Sequence, residues 1–435
     1  MPERSGLPDF LRRYGRLAAV NILSNLTVPL AGLVDTAMLG HLDEIRFLAG
    51  VALAAILFEY IYWTFGFLRM GTTGTAAQAL GRRDERELSL VLYRALALAV
   101  AISGVILLLQ WPLRELGLAV LQGDPGVEEA ARDYFDALVW GAPAALCNFA
   151  LVGWFLGRAE GRAALAMTAV ANLGNVAFNY LFIVELGWAA RGAGLGTMLS
   201  QYLSLGAGLI LLSRRRRSRW IWSEVLDRAR LTEVMKLNAD ILIRTLCLVS
   251  SFAVFTNFGA MLGVQLLAAN TILLRVLTLA AHLIDGAAFA TESIAGILHG
   301  RGDRAGLRRL LRLSLWVGEG FAVAVLAVVL IAPRPLLGLL TSHGDVIDRA
   351  VELSPWLIPV LVFGALAYML DGFFLGLTAG PTLRRAMLVS TLVVFLPAAL
   401  LALRFESAWG LWAAMAAFML ARTVTLGWAA RPALN

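Results

Sequence analysis

The sequence predicts an all-α polytopic membrane protein of twelve transmembrane helices, arranged as two six-helix bundles that repeat in parallel. Three observations predict it. Hydrophobic residues make up 59% of the 435 residues and charged residues only 15%, with a mean hydropathy of +0.75, far from the balance of a soluble domain. The apolar residues fall into windows of about 20, the length that crosses a bilayer as a helix. The two halves of the chain also carry the same motifs in the same register.

The remaining composition excludes other classes. The net charge of +7 sits in short basic clusters between apolar runs, as membrane-flanking charge does, and not in a nucleic-acid-binding stripe. Cys147 and Cys247 lie inside apolar segments without CxxC or Cys/His spacing and read as reduced core residues. The first apolar run is too long and too polar for a cleavable signal peptide, and no small-residue cleavage site ends it. It is expected to stay as a span.

Spans are expected near residues 15–40, 48–72, 88–111, 134–157, 163–184 and 192–213 in the first half. Those of the second half are expected near 237–260, 264–292, 309–332, 353–378, 385–403 and 408–430. Arginines alternate by loop. Arg12, Arg13 and Arg16 precede span 1; Arg82, Arg83 and Arg86 follow span 2; Arg158 and Arg162 follow span 4. Arg214 to Arg217 and Arg219 follow span 6, Arg301, Arg304, Arg308 and Arg309 span 8, and Arg384 and Arg385 span 10. The other loops hold only scattered arginines, so both termini are expected on the cytoplasmic side of the cell's inner membrane.

The repeat sets the domains. GRRDERELSLVLYRA from Gly81 aligns without gaps on GRGDRAGLRRLLRLS from Gly300, and FLGRAEG from Phe155 on FLGLTAG from Phe374 at the same displacement. Gly123-Asp124 matches Gly344-Asp345 after a small indel. Six spans is an even number, so the second copy starts on the same side and the repeats are parallel. The division is an N-terminal bundle over 1–213, a basic cytoplasmic linker over 214–236 and a C-terminal bundle over 237–435. Trp220 and Trp222 of the linker are expected near headgroups.

Ionisable groups inside spans are costly and need a reason. In span 1, Asn21, Asn25, Val28, Gly32 and Asp35 share one helical face. Asp35 reads either as an acid at the outer interface or as a titrating carboxylate facing a cavity, where its protonation follows access to water. Pro29, six residues earlier, removes a helical hydrogen bond and permits a bend. Span 5 has a second stripe, Thr168, Asn172, Asn175 and Asn179, and span 6 adds Thr197, Gln201 and Ser204. These groups either join helices by hydrogen bonds or form a hydrated pocket in which Asn175, Asn179 and Thr197 surround Asp35. In span 8, Arg275, Thr278, His282, Asp285 and Glu292 fall on one face. Asp240 and Arg244 in span 7, four apart, are expected to pair, and Asp371 opens DGFFLG in span 10. These charges read either as structural ion pairs or as part of a transport pathway. Tyr60, Trp63, Phe67 and Met70 share a face of span 2 and read as an apolar substrate wall or as lipid-facing packing. No P-loop, GxSxG or HExxH pattern is present, so neither an ATP-driven pump nor an enzyme is expected.

SNLTVPLAGLVDTAMLGHL from Ser24, FLRMGTTGTAAQALG from Phe67, DGAAFATESIAG from Asp285, LNADILIRTLCL from Leu237 and LDGFFLG from Leu370 closely resemble the DinF-like branch of the multidrug and toxic compound extrusion (MATE) transporters, over essentially the whole chain. The resemblance implies two six-helix bundles forming a V around a central cleft, and antiport of lipophilic, often cationic compounds against protons or sodium, without a cofactor. It also implies that Asp35 is the coupling residue, with Asn175, Asn179 and Thr197 as its polar surround. Two departures matter. Relatives commonly carry proline near the start of span 1, where this chain has Val20, and many carry aspartate where it has Asn179. One carboxylate suffices for a proton, whereas a desolvated sodium ion wants more oxygen ligands and charge, so protons are favoured. Sodium coupling, a lipid-linked precursor flippase using Arg69, Arg244 and Arg275, and a polytopic membrane enzyme are the alternatives. The chain is expected to act as a monomer on small compounds.

Overall fold

A computed structural model describes residues 7–42, 44–121, 124–215 and 222–434. The first long helix is α1 (Leu7–Gly40). It is followed by α2 (Ile45–Gly81), α3 (Glu85–Leu108), α4 (Pro125–Gly157), α5 (Gly161–Glu185) and α6 (Ala189–Ser213). The second half gives α7 (Arg228–Met261), α8 (Val264–Gly300), α9 (Arg304–Ile331), α10 (Gly344–Gly376), α11 (Gly380–Arg404) and α12 (Ala408–Leu434). The eleven from α2 onward are long and apolar enough to cross a membrane. At 1.5 Å per residue, α1 is about 51 Å long and also suffices. Several helices outrun their expected spans because their polar ends continue beyond hydrocarbon length: α7 starts at Arg228 and α8 runs on to Gly300. Gln110–Leu121 and Pro333–Gly338 form short helices in what the hydropathy shows only as connections.

The two halves repeat atom for atom at their turns. At the end of α2, Arg83 N–H donates to the Leu80 carbonyl (3.1 Å) and Asp84 N–H to that of Ala79 (3.0 Å). At the end of α8, Gly302 and Asp303 do the same to His299 (2.9 Å) and Leu298 (3.0 Å). This is the double closure that needs a left-handed residue, supplied by Arg83 (φ 61°) and Gly302 (φ 70°), 219 positions apart. The next residue then caps the following helix: Asp84 accepts from Glu87 N–H (2.9 Å) and Asp303 from Gly306 N–H (2.8 Å). The same closure ends α4 at Ala159 (φ 57°) and α10 at Thr378 (φ 54°), again 219 apart.

Close helix packing repeats with the turns. A Cβ on Gly157 would strike the Thr73 carbonyl, Ala76 and Ala77 of α2, and one on Gly376 would strike the Glu292 carbonyl, Ala295 and Gly296 of α8. Each of those contacts is displaced by the same 219 residues, which fixes α4 on α2 and α10 on α8 in one geometry. Interior irregularities follow suit: a 3-10 turn interrupts α4 at Val139–Gly141 and α10 at Ser354–Trp356, and a π-helical segment occupies Tyr180–Glu185 of α5 and Val389–Phe395 of α11.

The chain divides into two compact units, Leu23–Glu233 and Met1–Ile22 with Val234–Asn435. Residues 7–22, which the sequence division counts with the N-terminal bundle, pack on α8. Tyr14 donates to the Ala287 carbonyl (3.3 Å) and shares a hydrogen bond with Thr291 (3.1 Å), and Gly286 lies so close to the Ile22 backbone that a side chain there has no room. In the first unit the linker helix Trp222–Val225 docks on α3. Val225 is fully buried against Leu90 and Tyr93, Arg94 donates to the Glu224 carbonyl (3.0 Å), and Arg86 pairs with the Glu224 carboxylate. Trp222 is exposed, and Trp220 lies outside the described residues.

A carboxylate bracketed by amides in the N-terminal half

The α5 stripe lies along α1. At its start Ser24 donates to Thr168 (3.0 Å), and eleven residues along each helix Asn179 Nδ2 donates to Asp35 Oδ1 (2.7 Å). With its amide nitrogen facing the acid, Asn175 donates to Asp35 Oδ1 (2.7 Å) and Oδ2 (3.3 Å) and accepts from Asn179 Nδ2 (3.2 Å) and Thr197 Oγ1 (3.0 Å). Only that orientation satisfies both ends of the amide. Tyr134 of α4 lies beside Thr197, and the donors run from Thr197 to Asn175 to Asp35. Asn179 is fully buried, and its Oδ1 has no hydrogen-bond partner among the described residues. It sits against Gly196 of α6, where a Cβ would overlap it.

Four side chains named from the sequence, Asp35, Asn175, Asn179 and Thr197, thus form one group, and Tyr134 lies beside it. Tyr134 carries no sequence signal, because it opens α4 among polar residues and its partner is on another helix. Asn172 is half-buried seven residues, about 10 Å along the axis, from Asn179, and its Nδ2 has no partner among the described residues. Asn25 lies about 15 Å along α1 from Asp35. Neither belongs to the group. The side chain of Pro29, and with it the expected bend, lies outside the described residues.

The group can serve both forms of a carboxyl. Three amide contacts donate to the ionised acid, and because an amide offers an oxygen after half a turn, either asparagine can instead accept from the neutral acid. An aspartate at 179 would lack that choice.

The second unit holds a different arrangement, and one expected pair is corrected. Asp240 and Arg244, side by side on α7, each pair with another helix: Asp240 with Arg384 of α11, and Arg244 with Asp371 of α10 (2.8 Å). Helical spacing sees neighbours on one helix but not a stronger partner across the packing. Gly380 supplies the close approach, since a Cβ there would meet Asp240 Oδ2 at 2.8 Å. Asp371 Oδ2 also accepts from Arg422 of α12 (2.5 Å), which is fully buried and lies over the rings of Tyr368 (5.1 Å) and Phe418 (5.6 Å). The sequence reading passed over Arg422, although a lone arginine in an apolar span is the signal. The α8 face does not gather into one site. Arg275 and Thr278 are exposed, His282 and Asp285 half-buried and Glu292 fully buried, and Arg275 and Glu292 lie about 25 Å apart along the helix. Of these, Asp285 acts electrostatically on Tyr368 beside Arg422. Among the described residues no three His, Cys, Asp or Glu side chains come together as a metal site.

A repeated membrane bundle with a polar site inside one repeat is the architecture of a polytopic transporter. The MatE family model matches residues 21–181 and again 241–401, two matches 220 residues apart. DNA damage-inducible protein F of Escherichia coli is 34% identical over 94% of this chain and 90% of its own length. The probable multidrug resistance protein NorM of Thermotoga maritima is 23% identical over 84% of this chain and 78% of its own. Crystallised MATE in the bent conformation superposes with a TM-score of 0.89 at 20% identity over 97% of this chain and 95% of that one. A MOP superfamily transporter from Pyrococcus furiosus gives 0.87 at 19%, over 97% and 95%. The chain belongs to the MATE family of multidrug and toxic compound transporters, in its DinF-like branch.

Proposed function

We propose that the chain exports lipophilic, often cationic compounds in exchange for protons, with Asp35 as the proton-coupling residue and both termini in the cytoplasm. The observation that supports this best is the bracketing of Asp35 by the Asn175 and Asn179 amides. The protein alternates between two states in which the site opens to opposite sides, taking a proton outside and releasing it inside, and the substrate competes with the proton for one of them. One inward proton across about 100 mV and one pH unit provides about 3.7 kcal/mol, enough for a gradient of a few hundredfold in a neutral substrate. For a monocation exchanged one for one the voltage cancels, and about tenfold remains.

Sodium is the second reading, favoured by the buried Asn179 Oδ1, an unbonded oxygen among the described residues beside the Asp35 carboxylate. Against it stands the single negative charge, when a desolvated cation gains most from several oxygen ligands. Purified protein in liposomes, given a pH or a sodium gradient and a panel of fluorescent cations, separates the two. Transport driven by the pH gradient without sodium is expected, and transport driven by sodium alone overturns proton coupling.

A further inference from the structure

Glu319 of α9 belongs to none of the pairs or motifs above. The buried face of α9 is Leu307, Leu311, Ser314, Gly318, Ala322 and Leu326, and its exposed face includes Trp316 and Val323. Glu319 stands at the seam between them, half-buried, next to Gly318, where a Cβ would meet the Met369 side chain of α10 at 2.7 Å. Trp316 and Val323, three residues before it and four after, flank it on the exposed side. The position is about 10 Å along the helix from Arg312, inside the apolar stretch that runs to Ile331.

Three membrane acids have clear donors: Asp35 has two amides, Asp240 has Arg384 and Asp371 has two arginines. Glu319 Oε1 is buried with no hydrogen-bond partner among the described residues. No ion pair reaches it from α8, α10 or α12, the long helices packed against α9, among those residues. An ionised carboxylate in that setting has lost its water and gained nothing, whereas a bound proton removes the charge and turns the group into a donor.

We propose that Glu319 is a membrane-embedded proton-binding site in the C-terminal repeat, held as the neutral acid at the exposed seam of α9. It stands independently of the role given to Asp35.

Such a carboxyl is open to a carbodiimide dissolved in the membrane and closed to one confined to water. In the reaction the acid's proton moves to a carbodiimide nitrogen while the carboxyl oxygen bonds the central carbon. An oxygen-to-nitrogen acyl shift then leaves an N-acylurea, with no group lost. The full chain in phosphatidylcholine vesicles is treated with dicyclohexylcarbodiimide or with a charged water-soluble carbodiimide, and its peptides are mapped by mass. The expected result is an adduct on Glu319 from the membrane-soluble reagent only, retained in Asp35→Asn and lost in Glu319→Gln. Mapping the wild-type peptide assigns the adduct whether or not the Gln variant accumulates. Absence of the Glu319 adduct while the same reagent labels another acid, or equal labelling by the charged reagent, overturns the proposal.

Discussion

Asp35 and Asn179 differ by 144 positions in sequence and by one hydrogen bond in space, and which of them carries charge decides what the site can hold. Asn179→Asp adds a second carboxylate beside the first, so it should confer sodium-dependent transport where the wild type responds to pH; reconstituted flux under a sodium gradient reads this. In the other repeat Asp371 holds two arginines, one of them fully buried. Asp371→Asn removes the carboxylate they share, and removing one partner of a buried pair costs about 3–5 kcal/mol. The variant should lose thermal stability in detergent, and an unchanged melting temperature would argue that the cluster is hydrated. At this scale the sequence is legible where side chains repeat along one helix, as Asn175 and Asn179 do on α5. It is blind to Tyr134 and misreads Asp240 and Arg244, because those partners lie on other helices. Glu319 is a different omission: an acid between two glycines in an apolar span was visible without a structure.

Individual helices are set by their close approaches. Gly196 lets α6 run against the Asn179 amide, and a Cβ there would displace it. Gly196→Ala should cost about 1–3 kcal/mol by overpacking and reduce efflux while the protein still inserts. Normal transport by that variant would show that Asn179 need not hold its place. The short helix Gln110–Leu121 depends instead on charge. Glu115 accepts from Arg132 and then from Arg114, and these arginines hold its carboxyl below the usual carboxylate range. A depressed carboxylate stabilises above its unfolded value, and the gain is lost as pH falls through the folded one. Once corrected for the intrinsic base-catalysed rate, amide protection in 110–121 should therefore fall as the pH drops into the acid range and stay flat near neutrality. Protection that falls toward alkaline pH instead would contradict this.

Across the whole molecule the repeat carried most of the information. Twelve spans, their parallel relation and the family were legible because the turns at Arg83, Ala159, Gly302 and Thr378 keep the same residues at a fixed displacement. What stayed hidden was where α1 belongs: hydropathy marks a helix without saying which neighbours it meets, and Tyr14 and Ile22 meet α8. Asp35 is the single carboxylate proposed to link proton movement to export. The direct test is pH-gradient-driven efflux by Asp35→Asn in liposomes, alongside wild type at equal reconstituted amounts. The account expects a normally folded variant with no pH-driven efflux, and normal pH-driven efflux by that variant would contradict it.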